Sequence, residues 1–378
     1  MKKKIAYISG TRGDFGLETP LLEAIEKSQK LELQLFVTGM HLMPEFGKTV
    51  NLVKRKFPNA GIINVWFNED SSEGMVIFSA KFMEAVVREF KKRKPDLVLV
   101  HGDRIEMLCA AVVALYMGLP VIHLQGGDKT TTVDNAARHA ITKLSHLHFP
   151  ATKKSGQRIK MMGEESWRIK VVGTMGLDAL LRVKTLPRLS LCKKLNLPAS
   201  SKFILVLQHP ISEEVSLSGK HMHKILLAVK KFDLPVVIIY PNSDPGSSEI
   251  IKIISNEKNN PLFRIFKNLD HSTFVSLEKH ADVWVGNSSA GVVESASFKT
   301  PVVNIGTRQA GRERGNNVID VDYDEEKIYL AIKKSLYNQE YLRSLKNCIN
   351  PWGDGKTTKK IMRVLENLQI DDKLLIKK

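Results

Sequence analysis

Carboxylates and arginines recur directly after short apolar runs in this sequence. Asp103 and Arg104 follow the run that ends at Val100, and Asp128 follows Val121–Leu124 after two glycines. A carboxylate held at such a position can transfer protons, and an arginine can bind an anionic substrate. Asp103 is alternatively the N-cap of the next helix, with Arg104 merely its neighbour.

A second polar cluster opens the helical segment that follows. Asp134 and Arg138 are four residues apart, so a helix places both on one face, either as an ion pair or as a catalytic acid with a substrate clamp. His123 and His139 lie nearby in sequence and are equally consistent with structural histidines. Neither has a second ligand at metal-binding spacing, and we predict no metal site.

The second half of the chain carries residues suited to a diphosphate. His209 lies two residues after the run Phe203–Leu207, and Ser288 and Ser289 stand between a strand and a helix that leads to Glu294. Hydroxyls and free amides at a helix start bind phosphate oxygens, and a carboxylate accepts hydrogen bonds from ribose hydroxyls. A serine that only caps the helix is the alternative. A glycine-rich loop adds further candidates for binding an anion: Arg308, Arg312 and Arg314.

The first apolar run ends in a glycine turn that contains Arg12. Gly10 and Gly13 allow backbone amides to approach a phosphate, and Arg12 could pair with it. The same turn could equally serve only to reverse the chain.

These residues are positioned by alternating apolar runs and helical segments, which predict parallel sheets. Since 378 residues exceed what one core usually contains, we predict two Rossmann-like domains of the α/β class, 1–183 and 184–356, with a helix in 357–378 that could return to the first. Lys184–Ser201 is read as the linker, and ligands are expected in an interdomain cleft. The predicted strands are Ile5–Ser9, Leu33–Val37, Leu97–Val100, Val121–Leu124, Phe203–Leu207, Val236–Tyr240, Val283–Val285 and Val302–Ile305.

Composition narrows the possible partners. The net charge of +17 favours anions, but the basic clusters are short, scattered and without interleaved aromatic residues, so we predict no nucleic-acid partner. No apolar stretch approaches the roughly 20 residues that span a bilayer, so we predict no membrane partner. The three cysteines match neither a zinc site nor a disulfide framework. A cytoplasmic enzyme is expected.

Four motifs together resemble the UDP-N-acetylglucosamine 2-epimerase family, and its hydrolysing branch in particular, along almost the whole chain. The resemblance implies a glycosyltransferase-B-like fold, a UDP-amino-sugar substrate and a homo-oligomer, either a dimer or a tetramer. It also implies a free sugar product such as N-acetylmannosamine, the type of sugar used to build sialic and legionaminic acids. The motifs are His101-Gly102-Asp103-Arg104, Arg138–Leu144, Gly286-Asn287-Ser288-Ser289, and Gly306-Thr307-Arg308 with Gly311-Arg312.

The resemblance also implies roles for individual residues. Asp103 and Asp134 match acidic positions tied to removal of the C2 proton and elimination of UDP, after which water adds to a glycal-like intermediate. Asp128 and His209 complete the candidate catalytic set, and that reaction requires no metal or redox cofactor. The expected substrate-binding residues are Arg12, Arg104, Arg138, His209, Ser288, Ser289, Glu294, Arg308 and Arg314.

Two departures from the family pattern leave the sugar open. Gln125 stands where His or Glu is usual, and Asp128 stands where Glu is expected, which shortens the carboxylate by one methylene. A hydrolysing epimerase for UDP-N,N'-diacetylbacillosamine, a 4-acetamido-6-deoxy sugar, is therefore one alternative. The others are a non-hydrolysing epimerase, which the segment from Arg138 argues against, a glycosyltransferase that needs an acceptor, and a non-catalytic nucleotide-sugar sensor.

Overall fold

A computed structural model describes residues 1–67, 71–129, 134–242 and 244–377. The chain divides into two compact units, one formed by 1–181 with 353–378 and the other by 182–352. Each unit contains one parallel six-stranded sheet. Helices cover both faces of each sheet, which is why the central strands are buried and read as continuous apolar runs.

The sheet of the first unit reverses its strand order beside the first strand. The strand order is β3-β2-β1-β4-β5-β6, so β1 and β4 are neighbours from which the chain proceeds in opposite directions. In such sheets, ligands bind outside the carboxyl ends of the strands at this reversal. The strands are β1 (Lys3–Ser9), β2 (Leu31–Val37), β3 (Gly61–Ile62), β4 (Leu97–His101), β5 (Val121–Leu124) and β6 (Leu147–Phe149).

Helices of the first unit begin at capping residues close to the strand ends. Thr11 caps the first helix, with Asp14 completing a capping box, and Thr152 and Thr174 cap two later helices. The helices are α1 (Arg12–Lys27), α2 (Val50–Lys56), α3 (Ser72–Arg93), α4 (Ile105–Tyr116), α5 (Asp134–Leu144), α6 (Lys153–Met161) and α7 (Met175–Leu180).

The second unit repeats this plan. Its sheet has the order β12-β11-β10-β7-β8-β9, and the reversal falls between β7 and β10. The carboxyl end of β7 leads into His209, and that of β10 leads into Ser288. The strands are β7 (Ile204–Leu207), β8 (Val236–Ile239), β9 (Phe263–Phe266), β10 (Val283–Gly286), β11 (Val302–Ile305) and β12 (Val318–Val321).

The segment read as a linker contains a helix, because Leu191 and Cys192 are buried against the second sheet. Short 3-10 helices occupy 39–42, 44–46, 166–168, 212–217, 295–297 and 345–347. The α-helices of the second unit are α8 (Arg188–Lys194), α9 (Ser218–Lys230), α10 (Ser247–Asn256), α11 (His271–His280), α12 (Ser289–Val293), α13 (Glu325–Tyr337) and α14 (Gln339–Ser344).

The chain then returns to the first unit through α15 (Thr357–Asn367) and α16 (Asp372–Leu375). Ile361 and Leu365 join the core between α1 and the sheet. Asp178 is buried and accepts the backbone N–H groups of Thr357 and Thr358 at 2.9 and 2.7 Å, so it caps α15 from outside the helix.

Alternation along the strands separates two layers of core. In β1, Ile5 and Tyr7 pack towards α1 and α15, whereas Ala6 and Ile8 pack towards α3 and α4. Across the described ranges, no helix is both long and apolar enough to cross a membrane.

The cap on α15 generates a stability prediction. Asp178→Ala leaves two buried N–H groups without an acceptor and should lower the free energy of unfolding by about 2–4 kcal/mol. Urea denaturation followed by circular dichroism measures the loss. Asp371→Ala is the matched control, because Asp371 caps α16 in an exposed position and its loss should cost about 1 kcal/mol. Equal losses in the two variants would contradict the buried role of Asp178.

Candidate active site

The turn after β1 is organised by Asp14 and leaves Arg12 exposed. Asp14 accepts hydrogen bonds from the backbone N–H of Gly10 at 3.0 Å and from the Ser9 hydroxyl at 2.6 Å. His41 contacts the same Ser9 hydroxyl at 2.9 Å. Arg12 begins α1 and its side chain is exposed, so its guanidinium is accessible to an anion.

A buried carboxylate, Glu106, lies beneath this turn and orients Arg104. The Arg104 guanidinium donates to both Glu106 oxygens, at 2.9 and 3.2 Å, and the Glu106 side chain is fully buried. A Cβ on Gly10 would approach a Glu106 oxygen to 2.6 Å, so glycine is required for this close approach. Sequence reasoning missed Glu106, because it follows Arg104 as an ordinary first-turn acid of α4.

Asp103 forms an ion pair with Arg138, which connects the end of β4 to α5. Arg104, not Asp103, occupies the N-cap position of α4, so Asp103 is not the helix cap. Arg138 also donates to the Gln125 carbonyl at 3.2 Å, while its buried Nε has no hydrogen-bond partner among the described residues. The Asp103 side chain remains 22% exposed and is therefore accessible beside a fixed positive charge.

Close packing and hydrogen bonds determine the conformation of the turn after β5. Gln125 has a left-handed φ of 57°, and its amide donates to the Thr174 hydroxyl at 2.9 Å. A Cβ on Gly126 would approach the His123 ring to 2.6 Å. Asp128 accepts a hydrogen bond from Ser155, so its carboxylate is anchored at the start of α6.

Asp134 is the first residue of α5 and is exposed, on the helix that carries Arg138. Asp103, Asp128 and Arg138 thus belong to one end of the first sheet, and Asp134 begins the helix that returns from it. Residues 130–133, between Asp128 and Asp134, lie outside the described ranges.

His123 is a structural histidine. Its Nε2 lies 2.8 Å from the Gly102 carbonyl and its Nδ1 lies 3.1 Å from the Thr142 hydroxyl. Complete burial lowers the pKa of His123 to about 3, so the ring is neutral at physiological pH. It supports the loop that carries Asp103.

His101 is a further site residue that sequence reasoning did not select. It ends β4, and its Nδ1 pairs with the fully buried carboxylate of Glu18 on α1. Burial by itself lowers the pKa of His101, but the charge and hydrogen bond of Glu18 outweigh it, and the net pKa is raised. The sequence feature that could have identified this pair is Glu18, an acid on the buried face of α1. That face becomes apparent only when α1 is placed against the sheet.

His209 in the second unit is held as a neutral hydrogen-bond donor. Asn287 exchanges two hydrogen bonds with the His209 backbone, at 2.7 and 2.9 Å, and thereby joins the ends of β7 and β10. The His209 Nδ1 accepts the Asn242 backbone N–H at 3.0 Å. Burial, aided by the charge of Arg308, lowers the pKa of His209 to about 4, so the neutral ring carries its proton on Nε2.

The residues after β10 suit an anion. Ser288 precedes α12, yet its side chain makes no capping hydrogen bond, so the plain capping alternative does not describe it. Ser289 begins α12 and is half-buried, as is Glu294 at the end of that helix. Arg308 donates to the Asn287 carbonyl at 3.2 Å, which holds the arginine beside Ser288.

Arg314 has a different environment from Arg308. Its guanidinium pairs with Asp320 and donates to the Gln309 carbonyl, so it ties the loop to β12. Gln309 in turn donates to the Asn287 carbonyl at 2.9 Å. Within the described parts of the chain, no group of three histidine, cysteine or carboxylate side chains is arranged to hold a metal ion.

Proteins of similar sequence include 2-epimerases of UDP-sugars. A family model described as UDP-N-acetylglucosamine 2-epimerase matches residues 23–366. A Legionella pneumophila protein named UDP-N,N'-diacetylbacillosamine 2-epimerase (hydrolyzing) is 37% identical, covering 100% of this chain and 99% of the relative. A Neisseria meningitidis UDP-N-acetylglucosamine 2-epimerase is 34% identical, covering 88% and 87%.

Solved structures agree on the fold. The crystal structure of UDP-GlcNAc 2-epimerase from Neisseria meningitidis, bound to UDP-GlcNAc, matches with a TM-score of 0.75 at 22% identity, over 96% of this chain and 99% of that one. The predicted fold class, two Rossmann-like domains of the glycosyltransferase-B-like kind, is confirmed.

These findings define an enzyme that acts on nucleotide sugars. The chain belongs to the UDP-N-acetylglucosamine 2-epimerase family, and its relatives group it with the hydrolysing branch. It is an enzyme of the UDP-sugar 2-epimerase type, as the sequence motifs predicted.

The pair of His101 and Glu18 makes a titration prediction. The pKa of His101 should lie above its ordinary 6.5, and in Glu18→Gln it should fall below 6.5, because burial is then opposed only weakly. Proton–carbon NMR of the imidazole Cε1–H group measures both values. His123, neutral throughout pH 5–8, is the internal control. An unchanged His101 titration in the variant would refute the pairing.

Proposed function

We propose that this protein is a hydrolysing 2-epimerase of a UDP-2-acetamido sugar. The proposed reaction converts UDP-N-acetylglucosamine and water to N-acetylmannosamine and UDP. The observation that carries the proposal is a partly exposed carboxylate, Asp103, held beside the guanidinium of Arg138 at the end of the first sheet, in a chain of this family. We also expect a homo-oligomer in the cytoplasm.

The second unit is proposed to bind UDP. Hydroxyls of Ser288 and Ser289 and the guanidinium of Arg308 offer hydrogen-bond donors to a diphosphate, and the His209 Nε2–H offers another. All four groups are hydrogen-bond donors, and Arg308 adds a positive charge, which suits a dianion. Glu294 is assigned to the ribose hydroxyls, for which an acceptor is needed. Arg12 in the first unit, whose guanidinium is exposed, is a further candidate for binding UDP, and Arg314 in the loop is a weaker one because it already pairs with Asp320.

The first unit is proposed to perform the proton transfers. The C2 proton next to an acetamido group is weakly acidic, so a carboxylate base must act while the departing diphosphate is stabilised. Asp103, Asp128 and Asp134 are the carboxylates available, and Arg104 and Arg138 supply positive charge for substrate oxygens. UDP leaves C1 as C2 loses its proton, and water then adds across the double bond, with its hydroxyl on C1 and a proton on C2.

The sugar has two candidates. UDP-N-acetylglucosamine agrees with the name of the Neisseria relative, and UDP-N,N'-diacetylbacillosamine with that of the Legionella relative, whose match extends over the whole chain. Gln125 and Asp128, where the family pattern has other residues, favour testing the second sugar from the start.

The reaction can be tested by isotope incorporation. The purified protein, incubated with either UDP-sugar in deuterated water and followed by proton NMR, should release UDP and a free 2-epimerised sugar carrying deuterium at C2. Release of UDP without deuterium at C2 would contradict elimination. A product that retains UDP would identify the non-hydrolysing reaction, and a requirement for an acceptor would identify a glycosyltransferase. Failure to convert either sugar would count against the proposal.

Substitution of the carboxylates separates binding from chemistry. Asp103→Asn and Asp134→Asn should each lower kcat by about 100-fold or more, because the proton-transfer groups are lost, while the UDP Kd changes less than about threefold. Initial rates of UDP release and calorimetry measure the two quantities. Asp372→Asn, an exposed acid on α16, is the matched control and should leave both unchanged. Normal turnover in both variants would refute the assignment.

A further inference from the structure

A wholly buried acid, Glu278, lies in the second unit without an obvious purpose. It is on α11, its exposed fraction is 0%, and it stands next to the buried Leu277. Neither of its carboxyl oxygens receives a hydrogen bond from a donor group among the described residues. An ionised carboxylate without donors or a countercharge is very costly to bury, so this group must itself carry a proton.

Its neighbour is Glu294, the half-buried acid at the end of α12. The Glu278 and Glu294 side chains lie within hydrogen-bonding reach of each other. Two carboxylates at that separation would repel, whereas one proton between them makes a carboxyl group that donates to a carboxylate. Because Glu278 is the more deeply buried, the proton belongs on Glu278 and the negative charge on Glu294.

Hydrogen bonds to the backbone fix the two segments that carry Glu278 and Glu294. The Thr300 hydroxyl donates to the Glu278 carbonyl at 2.6 Å, which ties the last turn of α11 to the segment before β11. The Glu294 N–H donates to the Ala290 carbonyl at 2.8 Å, which fixes the end of α12. Both carboxyl groups therefore extend from anchored backbone.

We propose that Glu278 is a positioning residue of the nucleotide site: its carboxyl O–H donates to Glu294 and holds that carboxylate ready to accept the ribose hydroxyls of UDP. This inference rests on the proposed function, since it needs Glu294 to bind the ribose. A merely structural Glu278 would stabilise the fold and leave nucleotide binding unaffected.

Electrostatics agree with this distribution of the proton. Burial, followed by the negative charge of Glu294, raises the pKa of Glu278 well above its ordinary value. Burial also raises the pKa of Glu294, but the hydrogen bond from Glu278 opposes the rise. In the described part of the chain, the titratable group that acts on each of these carboxyls is the other one.

The pair makes UDP binding depend on pH. Glu294 is an ionised hydrogen-bond acceptor at pH values above its pKa, and it becomes protonated as the pH falls through that value. The affinity for UDP should therefore decline on acidification. Without the donor on Glu278, burial of Glu294 is unopposed and its pKa rises further. The decline should then begin at a higher pH.

Two substitutions of similar size test this. Glu278→Gln keeps a donor, its amide N–H, and should retain the wild-type decline. Glu278→Leu removes the donor and should bind UDP about tenfold more weakly near pH 6, with the decline moved to higher pH. Calorimetric titration of the full-length protein with UDP from pH 5 to 8 gives these curves, and circular dichroism checks that each variant is folded.

A matched ligand separates ribose recognition from diphosphate recognition. Affinity for 2′,3′-dideoxy-UDP, which lacks both hydroxyls, should be the same in Glu278→Gln and Glu278→Leu. If UDP binds both variants with the same pH dependence, or if the dideoxy ligand shows the same difference as UDP, Glu278 is structural and the inference is wrong. If the wild-type protein binds no UDP at any pH, the proposed function fails and this inference fails with it.

Discussion

Charge buried at the ends of apolar strands must be compensated, and that requirement explains much of the polar chemistry in this protein. Parallel sheets covered on both faces leave their carboxyl ends as the place where ionised groups can collect. Burial in such surroundings penalises an isolated charge by several kcal/mol. Glu106 is accordingly matched by Arg104, and Glu18 by His101. Glu278, which has no cation, is instead matched by a proton shared with another acid.

The two units meet this requirement differently, and the difference bears on their chemistry. In the first, carboxylates face cations, as Asp103 faces Arg138 and Glu106 faces Arg104. In the second, the hydroxyl groups of Ser288 and Ser289 and the His209 ring, which burial keeps uncharged, lie near the guanidinium of Arg308. Under the proposed function, these hydroxyl, imidazole and guanidinium groups donate hydrogen bonds to the diphosphate as it leaves. This difference between the two units suits the proposed reaction, in which the sugar loses its C2 proton and UDP departs.

The sequence predicted the elements that carry strong apolar runs. All eight predicted strands are present, because their burial on both faces makes them continuous in sequence. The four unpredicted strands are short or at edges: β3 has two residues, β6 has three, β9 contains Arg264, and β12 alternates around Asp320. A sheet edge is partly solvated, so its strands lack the uniform apolar signal.

Candidate site residues were predictable where they lie within four residues after the end of a strand, as Asp103, Asp128, His209 and Ser288 do. The residues that orient them were not. Glu18 and Glu278 lie on helices, and an acid within a helical segment reads as a solvated face unless the helix is placed against its sheet. Arg314 is the converse case. Its glycine-rich loop favoured an anion-binding role, but the local sequence did not reveal that its guanidinium pairs with Asp320. Tertiary contacts, which local patterns do not encode, decide these cases.

The choice between the two sugars must depend on hydrogen bonds and apolar contacts. N-acetylglucosamine and the diacetylated 6-deoxy sugar carry no charge, so a difference in net charge cannot distinguish them. Replacing a hydroxyl by an acetamido group at C4 and removing the C6 hydroxyl changes hydrogen bonds and apolar contacts. A site built to hydrogen-bond a hydroxyl rejects the analogue without it far more strongly than an apolar pocket rejects an added group. Gln125, whose amide donates to the Thr174 hydroxyl, is a residue that we propose takes part in this discrimination.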